Sequence, residues 1–301
     1  MESQDTGAVA THTVNVRLIV QSAFRMQRQD PGSSRLELGR VDPGERSAVQ
    51  ELALGLVNNV GAGVQLLQEL TAPLSNDHGD LLPLDALEYR ITSGQGEGGW
   101  RPMASGTEVL ATDPRGELTE LRAAYAAVVP AQQPAGTYQG TLRLSASSAG
   151  VSAAEETAVE LAVTVNELFT MSVLPVDGAG STLEFSPERG DEGPVERRVR
   201  VEIRSNLRRP YQVSAGLDHP LVLPSGETLP REVLTWSMQE AARGTMLVSG
   251  GAPVAVGYEP VYQSDAQGSP DAFILTYRLA VPPETRGGFY SGQLRFSITM
   301  F

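Results

Sequence analysis

The sequence predicts an all-β protein made of two tandem immunoglobulin-like β-sandwich domains that arose by internal duplication. The chain of 301 residues is long enough for two buried cores, and its 31 glycines and 20 prolines indicate many turns. Apolar and polar residues alternate in several short segments, which is typical of strands with one buried face. The same order of motifs also occurs twice, about 150 residues apart.

Matched motifs carry the internal repeat. Phe24-x-Met26 recurs 145 residues later as Phe169-x-Met171, and the later motifs recur after 147 to 152 residues. Chance does not keep so many matches in one order, so the insertions are confined to loops. The further matches are Ser34–Glu37 with Ser181–Glu184, Asn59 with Asn206, Val64-Gln65 with Tyr211-Gln212, Pro73-Leu74 with Pro220-Leu221, Leu82-Pro83 with Leu229-Pro230, Tyr125 with Tyr277, and Gly136–Arg143 with Gly288–Arg295.

The repeat divides the chain into three parts. Residues 1–12 are polar and are expected to form a flexible N-terminal segment. Repeat one is expected to form a β-sandwich over residues 13–150, and repeat two a second β-sandwich over residues 151–301. Small polar residues between Ser147 and Glu156 form the connection.

A segment with strict alternation opens each repeat and predicts a strand. The second copy lies between the repeats, where we expect it to close repeat one and lead into repeat two as an inter-domain bridging strand. The first copy is, by analogy, a candidate donor strand for repeat two of another molecule. The apolar positions are Val14, Val16, Leu18 and Val20 in the first copy, and Val159, Leu161, Val163 and Val165 in the second.

The repeat also resolves ambiguous segments. Leu118–Val129 is rich in alanine and resembles a helix, but its counterpart, Pro270–Val281, contains Phe-Ile-Leu-Thr-Tyr and resembles a strand. We therefore predict strands for both. By the same comparison Leu52, Leu54 and Leu56 are predicted to form a strand, because they match the alternating residues Val199, Val201 and Ile203.

The last predicted strand of repeat two presents Leu294, Phe296, Ile298 and Met300 to the core. No strand comparable to Val159–Asn166 follows it before Phe301. An uncovered apolar edge is a site for association, so we expect these four residues to border an acceptor groove.

Composition excludes several classes of function. The net charge is −13, and an acidic surface repels nucleic-acid backbones and anionic membranes. There is no cysteine, and all 23 basic residues are arginines, which excludes disulfides, thiolate chemistry and lysine Schiff bases. The sequence has no run of 18 apolar residues and therefore predicts no membrane span, and it shows no signal peptide.

No group of residues marks a catalytic, metal or cofactor site. His219 follows Asp218, but nothing marks the third partner that a triad needs. His78 lies in a polar turn, and its counterpart, Ser225, lies in a plain turn. The Gly94–Gly99 run opens no helix, so it does not match a phosphate-binding loop.

Three further groups are interpreted as structural. Arg189-Gly190-Asp191 is interpreted as a charged turn rather than an adhesion motif. The arginines at 198, 200 and 204 are interpreted as a solvated strand face paired with glutamates. Trp100 and Trp236 do not match between the repeats; they are interpreted as core residues, with an exposed contact residue at one of the two positions as the alternative.

The order of short motifs resembles spore coat protein U-type domains, which include the pilins of archaic chaperone–usher fimbriae. This sequence departs from that family because it lacks a cysteine pair and carries two fused copies. The resemblance is carried in repeat one by Phe24-x-Met26, Leu36–Gly39, Asn59, Val64-Gln65, Leu87–Tyr89 and Pro134–Tyr138, and in repeat two by Leu183–Phe185, Asn206, Pro210–Gln212 and Gly288–Tyr290.

The resemblance implies an incomplete sandwich that a neighbouring subunit's N-terminal strand completes. We therefore expect a non-enzymatic, exported bacterial protein of the cell surface or periplasm that forms a fibre or pilus by β-strand complementation. Its expected partners are further copies in head-to-tail order, with a periplasmic chaperone and usher. The alternative is a monomeric adhesin or accessory module that binds a protein or carbohydrate through its loops; an enzyme on a sandwich scaffold is a third, less supported, reading.

Overall fold

The computed structural model is all-β and contains two tandem immunoglobulin-like sandwiches. It describes residues 16–29, 34–93, 98–149, 151, 154–177, 180–186, 193–238, 241–248 and 250–301. No helix in these segments has the length and apolarity that crossing a membrane requires.

The first sandwich packs two five-stranded sheets face to face. One sheet has the order β1-β3-β8-β5-β6, and the other has the order β2-β10-β9-β4-β7. The strands are β1 (Phe24–Arg28), β2 (Arg35–Val41), β3 (Gln50–Asn58), β4 (Val64–Ser75), β5 (Leu87–Ser93), β6 (Arg101–Pro102), β7 (Thr107–Asp113), β8 (Glu120–Ala127), β9 (Gly136–Ser148) and β10 (Glu155–Val165).

The second sandwich repeats most of this arrangement. One sheet has the order β11-β12-β18-β14-β16, and the other has only four strands in the order β15-β17-β13-β19. The strands are β11 (Phe169–Pro175), β12 (Val195–Ser205), β13 (Tyr211–Leu217), β14 (Leu234–Met238), β15 (Thr245–Met246), β16 (Ala252–Pro253), β17 (Glu259–Gln263), β18 (Asp271–Leu279) and β19 (Leu294–Met300).

The strands predicted from the repeat are present. The alanine-rich segment forms β8, whose residues from Leu121 to Ala127 are buried except Arg122. Small side chains suit this central strand because it is covered by the facing sheet. The leucines of β3 and the matching valines and isoleucine of β12 are buried as well. Propensity for a helix is thus overridden by tertiary packing.

The opening segment differs from its prediction. Residues 16–23 form no strand, although their alternation matches that of β10. A strand needs a partner edge, and no described strand pairs with this segment. The bridging segment, in contrast, forms β10 and packs within the first sandwich, so the second sandwich begins after Val165 rather than at residue 151.

Candidate functional site

Strand β10 completes the first sandwich. It pairs with β9 in antiparallel fashion and with β2 in parallel fashion, so it lies between them. Its apolar residues Val159, Leu161, Val163 and Val165 have at most 2% of their surface exposed. β10 therefore covers the core along the whole of this edge.

The same place in the second sandwich is open. Strand β19 is the counterpart of β9, and it ends its four-stranded sheet. Residues 181–186, the counterpart of β2, form no strand. Among the described residues, none pairs with the outer edge of β19, so the positions that β2 and β10 fill in the first sandwich have no strand here.

The matched core residues of the two sandwiches differ in their solvent exposure. Six apolar residues of the first sandwich are at most 8% exposed, whereas their six counterparts in the second sandwich are only partly buried. The buried set is Phe24, Met26, Leu36, Leu38, Leu142 and Leu144, and the partly buried set is Phe169, Met171, Leu183, Phe185, Leu294 and Phe296. The partly buried set packs against the second core, and we refer to these six residues together as the acceptor groove that the sequence predicts.

The edge of the acceptor groove offers free main-chain groups. The N–H of Phe301 donates to the carbonyl of Pro210, and the N–H of Asp218 donates to the carbonyl of Gln293, both over 3.0 Å. In an antiparallel ladder, alternate residues direct their N–H and C=O to opposite sides. The main-chain groups of Leu294, Phe296, Ile298 and Met300 therefore point away from β13, towards the open edge, while their side chains contact the core.

The candidate donor segment lies on the surface. Val16, Leu18 and Val20 are 90%, 83% and 71% exposed, and Val14 falls outside the described residues. Three apolar side chains so close together are rarely left fully in water, because each would be stabilised by about 1.5–3 kcal/mol on burial. The segment and the acceptor groove are thus two uncovered apolar features of one chain.

The two histidines that the sequence singles out are exposed. The Nε2 atom of His219 lies 3.5 Å from the Oδ1 atom of Asp218, and that aspartate also binds Arg295. His78 lies at an exposed hairpin tip, where its main-chain N–H donates to the Oδ1 atom of Asn76 over 3.0 Å. In the described segments, no three His, Asp or Glu residues are grouped closely enough to hold a metal ion.

The arginines of β12 are solvated, as expected. Arg198 binds Asp177 through two guanidinium nitrogens, and its Nη2 atom lies 2.8 Å from Oδ1. Arg204 pairs with Glu202 over 3.1 Å. Asp177 has a lowered pKa, chiefly because of its hydrogen bonds to Arg198. The Arg189-Gly190-Asp191 tripeptide and residues 94–97 of the glycine-rich run lie outside the described residues.

The two tryptophans differ in environment. Trp236 is 1% exposed and packs near Tyr277 in the second core, as the sequence predicted. Trp100 is partly exposed, which matches the alternative and not the preferred core position, and the guanidinium groups of Arg46 and Arg90 lie over its ring, 4.7 and 4.9 Å from the ring centre. The pairing of β5 with β6 brings Arg90 to Trp100, and Arg46 is held by a β-bridge to Val128, so no local pattern could have shown the contact of all three.

Sequence reasoning also missed part of the acceptor groove. Leu183 and Phe185 belong to the partly buried set, but the sequence assigns them only to the repeat and to the family resemblance. The signal that could have found them is the alternation Leu-Glu-Phe in a segment that has no counterpart of β10 beside it.

Comparisons with known proteins are limited to the fold. No protein-family profile and no curated protein sequence matches the chain. The CooA pilin subunit from enterotoxigenic Escherichia coli aligns with 48% of this chain and 98% of its own, at 13% identity and a TM-score of 0.33. The CupB6 tip adhesin from Pseudomonas aeruginosa aligns with 93% of each chain, at 9% identity and a TM-score of 0.33.

A family 123 glycoside hydrolase from Clostridium perfringens aligns with 48% of this chain and 27% of its own, at 10% identity and a TM-score of 0.30. At such identities and TM-scores, none of these similarities bears on what the chain does.

Proposed function

We propose that this chain is a non-enzymatic, exported subunit of a bacterial surface fibre or pilus, and that its copies join by β-strand complementation. The donor segment, residues 14–20, of one copy occupies the acceptor groove of the next. The observation that carries the proposal is the contrast between six buried core residues in the first sandwich and their six partly buried counterparts in the second.

The internal repeat gives the register of this contact. In the first sandwich Leu161 lies opposite Gly140 of β9 and Leu36 of β2. The counterparts of these residues are Val16, Gly292 and Leu183. In the proposed contact Val16 of the donor copy therefore lies opposite Gly292 and Leu183 of the acceptor copy, and the same antiparallel register places Val14 opposite Leu294, the first residue of β19.

Such a contact is heterologous, because the donor segment and the acceptor groove are different surfaces. Repeated contacts of this kind build an open, head-to-tail fibre unless the rotation closes a ring. Before assembly the apolar groove would be a hazard for aggregation, so a periplasmic chaperone that covers it, and an usher that directs exchange, are the partners we propose.

Truncation tests the proposal. Removal of residues 1–21 leaves every described strand in place, so the chain is expected to fold but to lose concentration-dependent assembly, as measured by analytical ultracentrifugation. The full chain is expected to form species of increasing size with concentration. A single species of about 32 kDa at high concentration would instead indicate a monomeric binding module.

Point variants within the donor segment refine the test. Val16→Asp places a charge on the side chain that we place against the core, so it is expected to prevent assembly. Ile19→Asp is the matched control, because the counterpart of Ile19 is Thr164, whose hydroxyl lies 3.0 Å from that of Thr137 on the outer face of the sheet. Equal assembly by both variants would contradict the proposed register.

A further inference from the structure

One asparagine ties the two sandwiches together. The Nδ2 atom of Asn206 donates to the carbonyl of Gln133, over 3.1 Å, and to the carbonyl of Asn166, over 2.9 Å. Its Oδ1 atom accepts the N–H of Leu168, over 2.8 Å, and its main-chain carbonyl accepts the N–H of Ala135, over 3.0 Å. Asn206 is 6% exposed. It thus binds both the segment that follows β10 and a loop of the first sandwich.

Asn59 is the counterpart of Asn206 in the first sandwich. Among the described residues, it makes only the hydrogen bonds to the chain segment that precedes its own sandwich. Its Oδ1 atom accepts the N–H of Ala23, and its Nδ2 atom donates to the carbonyl of Gln21 over 3.0 Å. Its main-chain N–H donates to the carbonyl of Ala23 over 3.1 Å, as that of Asn206 does to Leu168. Asn59 is exposed, and its second Nδ2 hydrogen and its carbonyl have no partner in the described part of the chain.

The loop that Asn206 contacts also has a counterpart, and it is preformed. In the first sandwich the N–H of Gln133 donates to the carbonyl of Pro130, and the hydroxyl of Tyr138 donates to the carbonyl of Pro134. In the second sandwich Thr285 bonds to Pro282, and Tyr290 to Arg286, in the same way, each over 3.0 Å. Residues 286–288 are exposed.

We propose that in the fibre Asn59 of one copy docks on the loop Pro282–Gly288 of the next copy. Its Nδ2 atom donates to the carbonyl of Thr285, and its carbonyl accepts the N–H of Gly287. This inference rests on the proposed function, because the donor segment must bring the two surfaces together. The junction between copies then repeats the junction within the chain, so each sandwich has the same relation to the next along the fibre.

One contact of the internal junction is not repeated. Arg208 forms an ion pair with the buried side chain of Asp80, and its main chain has a φ of 53°. The counterparts are Gly61, with a φ of 71°, and Glu227. Arg208 and Gly61 both have left-handed main-chain conformations. Only the internal junction has the guanidinium group of Arg208. We therefore expect the junction between copies to have one ion pair fewer and to be the weaker of the two.

Position 287 provides a test on the acceptor side. Gly287→Pro removes the N–H that we assign to Asn59, whereas Gly287→Ala keeps it and reproduces Ala135 of the first sandwich. Both full-length variants are expected to form fibres, because neither changes the donor segment. Fibres of the proline variant are expected to dissociate in urea about threefold to tenfold faster than those of the alanine variant, as loss of one hydrogen bond implies.

A second variant, on the donor side of the contact, tests the same hydrogen bonds without introducing a proline. Asn59→Asp keeps the acceptor for Ala23 but removes the donors for Gln21 and for Thr285, and its fibres are expected to dissociate faster than wild-type fibres by at least a similar factor. Equal dissociation rates for all variants would overturn the inference while leaving strand complementation intact. Failure of the wild-type chain to form fibres would instead overturn the proposed function itself.

Discussion

Asn206 and Asn59 occupy the same position in the two sandwiches, but only Asn206 is enclosed by a neighbouring domain. A buried amide that loses its partners leaves other main-chain groups unpaired, and each such group costs about 1–3 kcal/mol. The same substitution at the two asparagines therefore separates the contribution of the junction from that of the sandwich itself.

Asn206→Ala is expected to lower the free energy of unfolding by about 2–3 kcal/mol, because the Leu168 N–H and the carbonyls of Gln133 and Asn166 all lose a partner. Asn59→Ala is expected to cost less than about 1 kcal/mol in the monomer, since water replaces the exposed amide. Urea unfolding followed by the fluorescence of Trp236 and Trp100 measures both. Equal losses would contradict the role of Asn206 at the junction.

Asp271 is the buried carboxylate of the second sandwich. Burial raises its pKa, but hydrogen bonds from the N–H groups of Gly244, Arg243 and Ala272 and from the hydroxyl of Tyr262 outweigh this effect, so the pKa of Asp271 is lowered below its ordinary value. A carboxyl with a depressed pKa stabilises the fold at pH values above its unfolded pKa, near 4, and this stabilisation is lost as the pH falls through the folded pKa.

Asp271→Asn is therefore expected to lower stability by about 2 kcal/mol at pH 7 and to flatten the dependence of stability on pH below about 5. Asp77→Asn, at an exposed position, is the control for the loss of one charge. Urea unfolding at several pH values provides the measurement. Unchanged pH dependence in the Asp271 variant would show that another carboxyl controls acid unfolding.

At the scale of elements, β10 and the donor segment share one alternating sequence pattern, but β10 is buried and the donor segment is exposed. Leu161 of β10 is fully buried, and its counterpart Val16 is 90% exposed. A charge at Leu161 must be buried without a partner, whereas a charge at Val16 remains in water.

Leu161→Asp is accordingly expected to destabilise the first sandwich by about 4 kcal/mol or more, and Val16→Asp to change the stability of the monomer by less than about 0.5 kcal/mol. Thermal unfolding of dilute protein checks both values. A large effect of Val16→Asp in the monomer would show that the segment already packs within its own chain.

The comparison of sequence with structure is clearest for these elements. Alternation and the repeat predicted β10, β12 and β18, and the repeat alone corrected the helical appearance of β8. Alternation could not show that residues 16–23 form no strand, because strand pairing depends on a partner edge and not on the pattern. The roles of Asn206 and Trp100 likewise depend on loops and strands that only the fold brings together.

At the scale of the whole molecule, the net charge of −13 opposes contact between copies. The proposed contacts between copies are made by apolar side chains and main-chain groups. They include few ion pairs that salt could weaken. Assembly is therefore expected to become severalfold faster when the salt concentration rises from about 0.05 to 0.5 M, as measured by light scattering. Slower assembly at high salt would indicate a contact held by ion pairs.

The central claim is that the second sandwich lacks a strand that the donor segment supplies. A synthetic peptide of residues 10–21, added to the chain without residues 1–21, tests it most directly by calorimetry and by the unfolding temperature reported by Trp236. We predict one peptide bound per chain and a higher unfolding temperature, with neither effect for a peptide carrying Val16→Asp and Leu18→Asp. Absence of binding at millimolar peptide, or equal binding of both peptides, would contradict the account.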